Sequence, residues 1–504
     1  MQKNPSIKSF IKHFLPASLM TALLLSNAFL AGCNREKGQI LPGLDESISK
    51  KDAVVIEDYV NRPIMETDTG YYYNNGYNPQ GHNTLGLHYV DKTSGKDIFL
   101  CSKPECKHDG NEFCVATNAK YQPFGIQLYG GYIYVAAISD GDTTHDFKLL
   151  RISLDGSSLS EVTTFYSMNQ VSSNPPQNYI SQDRMLIHRG KVFLQFTVGG
   201  EKNFEDTITH ANAIYDMETG LTSFLNEEPL SRDNATWRKL TPVGDCVYYL
   251  IDEPHKHILH CYHLSDGSDE TLQLLTNFTG DFVVTNNGNI FYLRGTKDKL
   301  CVRQTDGTNE ELGKFTETMI QFLSPEDTTY PMTRESILKY APAEESFIHE
   351  FQASCLLTDG TYVYATNYSR HISYRLVEVN VEDIEDKKDI PDNWLTANVQ
   401  IGYRTPVAHN YLEKFDSNGN SLGNLDISYE KLYPDADTDP TIMTPTPNIS
   451  FADHKVYFKF GQSTVTSSGA NVYLESYYVL TDEEFQNGTP LSTPIFTNER
   501  KLSY

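Results

Sequence analysis

One short strand phrase recurs along the chain and constrains the fold more than any other feature. It consists of a turn residue, most often glycine, followed by β-branched and aromatic residues, as in 131–134 (GYIY) and 190–193 (GKVF). Such residues favour β-strands, and glycine before them favours a turn. We interpret each copy as the first strand of a structural repeat. The copies begin at Gly70, Gly131, Gly190, Cys246, Gly288, Gly360 and His454.

A second phrase follows most of these copies: a strand that ends in Asp-Gly or Asn-Gly. Examples are 150–157 (LRISLDGS), 262–268 (YHLSDGS) and 302–308 (VRQTDGT). These dipeptides supply the positive φ angles that tight hairpins require. Repeated strand–turn–strand units predict an all-β fold, a β-propeller of about seven four-stranded blades, with six or eight blades as the neighbouring alternatives. A β-sandwich would show shorter, more even strand spacing and no shared turn phrase.

The combined phrase at 131–157 resembles the repeat of uncharacterised exported propellers akin to the TolB-like group. The resemblance extends over about 59–503, implies four-stranded sheets around an axis and carries over no catalytic residue. Wide gaps between later repeats contain 333–340, which has helical spacing, and the charged run 383–389. We expect both to be small insertions on one rim.

The first 32 residues have the character of an export signal. Three lysines precede the apolar run 18–30, which is short for a membrane span and ends in small residues. Leu-Ala-Gly directly before Cys33 resembles the lipobox of bacterial lipoproteins. The resemblance implies that Cys33 is lipidated and begins the mature chain, whereas the alternative is an ordinary signal peptide with a chance cysteine.

These features divide the chain into a signal peptide (1–32), a lipidated cysteine with a flexible tether (33–52) and a propeller domain (53–504). The tether is polar and contains glycine and proline, as flexible linkers do. The expected location is the extracytoplasmic face of the cell membrane, with the lipid anchor as the membrane partner. A formal net charge of -25 argues against nucleic-acid binding.

Three cysteines and a histidine lie within fourteen residues: Cys101, Cys106, His108 and Cys114. Three thiolates and one imidazole make the four ligands that a structural zinc site uses. Export also permits a disulfide, such as Cys106 to Cys114, and free thiols are the third alternative. The stretch 103–109 (KPECKHD) resembles a motif near the first blade of many exported bacterial lipoproteins, for which no role is established.

The remaining cysteines and histidines suggest weaker sites. Cys246, Cys261, Cys301 and Cys355 lie in or beside strand phrases, where free cysteine packs as a small hydrophobic residue; a Cys246–Cys261 bridge is the alternative. On a strand, His255, His257 and His263 would share one face and His260 the other. Most such clusters are polar strand faces rather than metal sites.

An acidic stretch imitates the start of a calcium loop at Asp435, Asp437 and Asp439. Pro440 stands where an EF-hand needs glycine and Thr446 where it needs glutamate, so the EF-hand interpretation fails. A solvated acidic loop is the preferred interpretation, and a looser surface calcium site is the alternative.

No catalytic signature of a nucleophile elbow, phosphate loop or His-Glu-x-x-His zinc site is present. The sequence therefore favours a non-enzymatic binding protein whose ligand is a protein, peptide or glycan. The loops within 317–351 and 382–447 would form the binding rim. The alternative is an extracellular carbohydrate-active enzyme with converging acids at the propeller axis.

Overall fold

The computed structural model shows a chain dominated by β-strands. It describes residues 52, 64–74, 85–140, 144–169, 179–199, 209–225, 237–253, 256–295, 299–314, 346–349, 353–367, 371–380, 400–409, 411–427, 432, 448–452, 454–465 and 471–501.

Seven four-stranded antiparallel sheets form the seven blades of a β-propeller, which confirms the predicted fold class. Blade 1 contains β1 (Met65–Glu66), β2 (Gly70–Asn74), β3 (Leu87–Asp91) and β4 (Asp97–Phe99). Blade 2 contains β5 (Tyr121–Tyr129), β6 (Tyr132–Asp140), β7 (Thr144–Ser153) and β8 (Leu159–Asn169). Blade 3 contains β9 (Tyr179–His188), β10 (Lys191–Gly199), β11 (Thr209–Asp216) and β12 (Leu221–Phe224). Blade 4 contains β13 (Trp237–Val243), β14 (Cys246–Glu253), β15 (Lys256–His263) and β16 (Asp269–Leu272).

The last three blades carry the insertions. Blade 5 contains β17 (Phe278–Val284), β18 (Ile290–Arg294), β19 (Lys299–Arg303) and β20 (Asn309–Lys314). A separate three-stranded sheet contains β21 (Ser346–His349), β24 (His371–Asn380) and β25 (Gln400–His409). Blade 6 contains β22 (Ala353–Thr358), β23 (Val363–Asn367), β26 (Tyr411–Phe415) and β27 (Ser421–Asp426). Blade 7 contains β28 (Asn448–Ala452), β29 (Lys455–Val465), β30 (Asn471–Thr481), the helix α1 (Asp482–Gln486) and β31 (Phe496–Lys501).

The recurring strand phrase is the second strand of each blade, so its interpretation as a first strand is wrong. Each copy falls on β2, β6, β10, β14, β18, β23 or β29, and a further strand precedes it. The preceding strands pack against one another from blade 2 to blade 7 and therefore surround the axis. They were hard to find because their sequences share no phrase, as WRKLTPV in β13 and FTGDFVV in β17 illustrate.

The repeated Asp-Gly turn joins the third and fourth strands of a blade, as its sequence predicts. In blade 2, Gly156 has φ +67°, and the Asp155 carboxylate accepts a hydrogen bond from the Ser157 amide at 3.0 Å. The same aspartate-to-amide bond recurs in blades 4, 5 and 6 at 2.8–2.9 Å. Blade 7 has α1 at this place instead, where Thr481 and Glu484 form a capping box.

Connections of very different length emerge from the two faces of the ring. In an antiparallel blade, the turns that join strands one to two and three to four lie at the same end. We call this end the turn face; apart from the segment containing α1, its connections span five residues or fewer. Connections between strands two and three and between blades join strand ends at the opposite end, the loop face. Its longest connections are 100–120, 315–352, 368–410 and 427–447.

Both predicted rim insertions, 317–351 and 382–447, contain connections that join loop-face strand ends. The connection between β23 and β26 of blade 6 contains β24 and β25, two strands that the sequence analysis did not predict. The predicted helix at 333–340 and the charged run at 383–389 lie outside the described residues.

Buried and partly buried polar groups connect successive blades around the axis. The Gln127 side chain of blade 2 donates to the Ile187 carbonyl at 2.8 Å and accepts from the Ile187 amide at 2.7 Å. His188 of blade 3 lies 2.7 Å from the Gly244 carbonyl oxygen of blade 4. These bonds set the spacing of blades 2 to 4, since buried polar groups are costly to leave unpaired.

Among the described residues, the ring closes between blades 7 and 1 without any exchange of strands, because blade 1 contains only N-terminal strands and blade 7 only C-terminal strands. The Glu66 carboxylate accepts hydrogen bonds from Lys455 and from the Tyr457 hydroxyl. Burial would raise the pKa of Glu66, but these donors together with Lys92 hold it below its ordinary value. Tyr73 stacks on Phe496 with ring centroids 4.0 Å apart, so the closing seam is both ionic and aromatic.

Candidate functional site

The segment between blades 1 and 2 contains the predicted cysteine–histidine group, and we call its four residues the knuckle cluster: Cys101, Cys106, His108 and Cys114. Two tight turns bring the chain back on itself. The Cys106 amide donates to the Lys103 carbonyl at 3.1 Å and the Cys114 amide to the Asn111 carbonyl at 3.1 Å. Pro104 suits the second position of the first turn, because its ring fixes φ near the required value.

The four side chains converge on one point. Three Sγ atoms and a ring nitrogen of His108 all lie within 4.8 Å of one another, and Nδ1 of His108 lies 3.5 Å from Sγ of Cys114. Ligands at about 2.3 Å from a tetrahedral metal would lie about 3.8 Å apart. The predicted residues are therefore close together, at a spacing that a small shift would bring to metal-binding geometry.

The knuckle cluster is closed on one side by the protein core. Cys114 is completely buried, and the other three residues are partly buried. The cysteines belong to the apolar cluster between blades 1 and 2, which includes Leu87, Ile133 and Leu150. The His108 ring stacks on Phe99 at 4.7 Å, and burial lowers the pKa of His108. Burial thus favours the neutral imidazole, the form that binds metals.

Backbone contacts attach the start of this segment to blade 2. The Ser102 amide donates to the Gly156 carbonyl at 3.3 Å. A Cβ at Gly156 would lie 2.6 Å from the Leu100 carbonyl oxygen, so the second blade needs glycine at this turn for a close approach as well as for its φ angle. The end of the segment is bonded to blade 1 through the Leu87 amide and the Ala116 carbonyl at 3.0 Å.

Lys120 and Tyr121, which follow the knuckle cluster in the chain, are held by an ionic group on blade 2. Glu161 accepts from Lys148 at 2.8 Å, from the Tyr121 hydroxyl at 2.6 Å and from Lys120 at 3.0 Å. Burial would raise the pKa of Glu161, but these three donors lower it to about 2. The knuckle is thus attached to blade 2 on both sides.

A second group, which the sequence analysis did not assemble, lies on blade 4, and we call it the blade 4 cluster: Cys246, Cys261 and His263. Their ligand atoms also lie within 4.8 Å of one another. Cys246 pairs with His263 across β14 and β15, and Cys261 lies two residues before His263. The pairing of β14 with β15 was the available signal, because two antiparallel strands that pair Glu253 with Lys256 also pair Cys246 with His263.

The two thiols of the blade 4 cluster affect each other. A hydrogen bond between them, together with the nearby His263, lowers the pKa of Cys246, and the same bond and burial raise the pKa of Cys261. The pair gives up its first proton readily and its second reluctantly. All six cysteines whose side chains are described are unpaired thiols in the structure.

The other histidines of this region have separate surroundings. His260 points to the opposite face, as predicted, where it stacks on Tyr249 and lies 3.2 Å from Asp269. His257 shares the face of His263 but contacts Phe278 and Gly280, and the two histidines lie at opposite ends of β15. Cys261 and Cys301 are buried as predicted, whereas Cys246 is partly exposed. Cys33, His255, the Cys355 side chain and the acidic stretch 435–439 lie outside the described residues.

Acids at the axis are the feature that an enzymatic site would require. On those parts of the seven first strands whose side chains are described, the acids are Glu66 in blade 1 and Asp281 in blade 5. Asp281 lies 3.4 Å from Nζ of Lys239 and accepts from the Leu356 amide at 2.9 Å, so it connects three blades. These two carboxylates lie on non-adjacent blades, and each is paired with lysine.

Among the described residues, no helix combines the length and the apolar character needed to cross a membrane.

Comparison with known proteins provides structural similarities only. The sequence matches no protein-family profile and no curated protein sequence. Similar solved structures include an inactive virginiamycin B lyase from Staphylococcus aureus (10% identity, 81% of this chain and 95% of that chain, TM-score 0.34). The β-propeller domain of the Trilobed protease from Pyrococcus furiosus is another (10% identity, 75% and 96%, TM-score 0.32). A third is an α-L-arabinanase from Penicillium chrysogenum (12% identity, 63% and 92%, TM-score 0.29).

These similarities assign no activity, ligand or partner to this chain, and the propeller architecture rests on its own strand pairing. The propeller part of the predicted resemblance is confirmed. The lipoprotein and TolB-like parts remain predictions.

Proposed function

We propose that this chain is a lipid-anchored protein on the extracytoplasmic face of the cell membrane, and that its propeller binds a protein, peptide or glycan without enzymatic chemistry. The observation that carries the proposal is the difference between the two faces of the ring. Tight turns occupy nearly all of one face, whereas the long connections and the inserted sheet of β21, β24 and β25 join strand ends at the other. Rigid scaffolds that display long loops are a common basis of recognition.

The position of Asp52 supports a particular orientation of the propeller relative to the membrane. Its carboxylate accepts a hydrogen bond from Nε of Arg189 at 2.6 Å, and Arg189 lies in a tight turn of the turn face. If Cys33 carries the lipid, the tether approaches the ring from this side. The turn face would then face the bilayer and the loop face would point away from it.

We further propose that the knuckle cluster binds a structural zinc ion. Three thiolates and one imidazole favour zinc among the common divalent ions, and four protein ligands leave no open position for a substrate. Such an ion would fix the junction of blades 1 and 2 rather than take part in a reaction.

A carbohydrate-active enzyme is the alternative function. It requires two or more acids that converge at the axis. Among the described first-strand side chains, Glu66 and Asp281 are too far apart in blade order to form such a pair. The described residues therefore offer this alternative no carboxylate pair at the axis.

The test uses isolated membranes that carry the full chain, probed with a glycan array and a library of fluorescent peptides. One variant replaces 381–399, between β24 and β25, by a short Gly-Ser linker; its control carries a linker of equal length at Gly95, on the turn face. We expect the loop-face variant to lose the bound probes and the control to keep them. The Cys33→Ser variant should leave the membrane fraction and still bind.

Three results would contradict the proposal. Equal binding by the two linker variants would exclude the loop face as the site of recognition. Retention of the Cys33→Ser protein in membranes would exclude the lipid anchor. Failure of the unaltered protein to bind any glycan or peptide would count against recognition of those two classes.

A further inference from the structure

The blade 4 cluster has a geometry that suits a bridging ion better than a disulfide. Cys246 and Cys261 are diagonal neighbours on β14 and β15, since Cys246 pairs with His263 and Cys261 with Tyr248. Diagonal cross-strand residues have Cα atoms roughly 7–8 Å apart, whereas disulfides need about 4.4–6.8 Å. A disulfide would therefore require the two strands to move. An ion between the sulfur atoms would not.

The imidazole of His263 completes the group. Its Nδ1 lies 3.6 Å from Sγ of Cys246, and its Nε2 lies 3.8 Å from Sγ of Cys261. Nε2 also lies 3.7 Å from the Glu270 carboxylate, and Glu270 pairs with Cys261 across β15 and β16. A metal-binding histidine usually donates its second ring N–H to a carboxylate or carbonyl, which fixes the ring and its tautomer. At 3.7 Å the Glu270 carboxylate lies just beyond hydrogen-bond distance of Nε2. A small shift would let Glu270 accept from Nε2 and leave Nδ1 as the ligand atom.

The number of protein ligands distinguishes this group from the knuckle cluster: three here against four there. Cys261 is 2% exposed and packs between blades 4 and 5 with Leu259 and Tyr292. The His263 side chain is 32% exposed, and Cys246 is partly exposed, so one side of the group is open to water. Three protein ligands with one open side are typical of sites that exchange a ligand or ion, whereas four are typical of permanent structural sites.

We propose that Cys246, Cys261 and His263 form a second, exchangeable metal site for a thiophilic d¹⁰ cation, Zn²⁺ or Cu⁺. The open fourth position accepts water or an external ligand. Soft thiolates favour both ions over Mg²⁺ and Ca²⁺, and the acidic chain concentrates cations near its surface. The site is separate from the loop face, so its existence does not depend on the proposed recognition role.

The test measures metal stoichiometry on the full chain in detergent, after reduction and removal of metal. Zn²⁺, and separately Cu⁺ without oxygen, are titrated in competition with a chromophoric chelator. We expect two equivalents, one tight and one weaker and readily removed by chelator. His263→Gln and Cys246→Ser should each remove the weaker equivalent and leave the tight one. Cys301→Ser is the matched control, because Cys301 is a buried cysteine outside both clusters, and it should keep two.

A second measurement guards against variants that fold poorly. In the unaltered protein, bound cation should slow alkylation of Cys246 by iodoacetamide at least tenfold, with the site identified by mass spectrometry. Two equivalents in His263→Gln, or alkylation of Cys246 unaffected by either cation, would overturn the proposal. A Cys246–Cys261 disulfide in protein purified without reductant would also overturn it. If only Zn²⁺ or only Cu⁺ binds, the identity of the ion is decided and the site stands.

Discussion

The knuckle cluster and the blade 4 cluster use the same kinds of side chain on different supports. The first takes four residues from a 14-residue loop, whose turns bring the ligand atoms together. The second takes three residues from two adjacent strands, whose register places them on one face. A loop-built site depends on whatever holds the loop, whereas a strand-built site is held by a sheet that forms anyway.

This difference has an energetic consequence. Backbone ladder bonds hold β14 and β15 in register whether or not Cys246 is present. The loop that carries the knuckle cluster has no such ladder. It is held by contacts with Gly156 at its entry and by Glu161 after its exit, together with the proposed zinc ion. We therefore expect substitutions around the knuckle to change stability far more than equivalent substitutions on blade 4.

The largest effect is expected for Cys114→Ala. Cys114 is completely buried and would supply one ligand of the proposed zinc site, so its loss combines a cavity with loss of that ligand. We expect the free energy of unfolding to fall by about 3 kcal/mol or more, at the upper end of single substitutions. Urea unfolding of metal-loaded protein measures it. Cys301→Ala is the matched control, because it leaves a cavity of the same size without removing a residue of either cluster. It should lower the free energy of unfolding by only about 1 kcal/mol. Equal losses in the two variants would show that the knuckle binds no stabilising ion.

An intermediate effect is expected for Gly156→Ala, at the entry to the knuckle. The new Cβ would meet the Leu100 carbonyl oxygen at 2.6 Å, and the residue has φ +67°. Steric overlap and backbone strain together should cost about 2–3 kcal/mol. Gly95→Ala is the matched control, because Gly95 has φ +65° and no atom within 4 Å of the added Cβ. Thermal unfolding should show a loss of only about 1 kcal/mol there, from backbone strain alone. If the two variants lose equal stability, the contact between Leu100 and blade 2 is unimportant.

Sequence periodicity and turn chemistry predicted much of the fold but less of the sites. The Asp-Gly phrase gave the blade architecture because its positive φ is a local requirement, met within four residues. The innermost strands share no phrase, because each is selected by packing against a different neighbour around the axis. The knuckle cluster could be predicted because its four residues, like those of the Asp-Gly turn, are close together in the sequence. The blade 4 cluster was missed, because the β14–β15 register, and not the spacing of the histidines, brings its members together.

The smallest effect is expected for the pH dependence of stability, through Glu161 and the donors that surround it. Glu161 has a pKa of about 2 in the folded protein, against 4.5 ordinarily, because Lys148, Tyr121 and Lys120 donate to it. A carboxyl whose folded pKa is depressed stabilises the protein above its unfolded pKa, and this contribution disappears as pH falls from about 4.5 to about 2. The group is partly exposed, so screening reduces the contribution to roughly 1 kcal/mol.

Glu161→Gln should therefore lower the free energy of unfolding by about 1 kcal/mol at pH 7, with the difference from the unaltered protein shrinking steadily below pH 4.5. Urea unfolding at several pH values between 3 and 7 measures this difference directly. Glu310→Gln on blade 5 serves as the control, because Glu310 is exposed, its backbone is held by the sheet and it lies outside both clusters. A difference for Glu161→Gln that stayed constant over this range would mean that its charge does not hold the knuckle. In that case the loop-built site would depend on its ligands and on Gly156 alone.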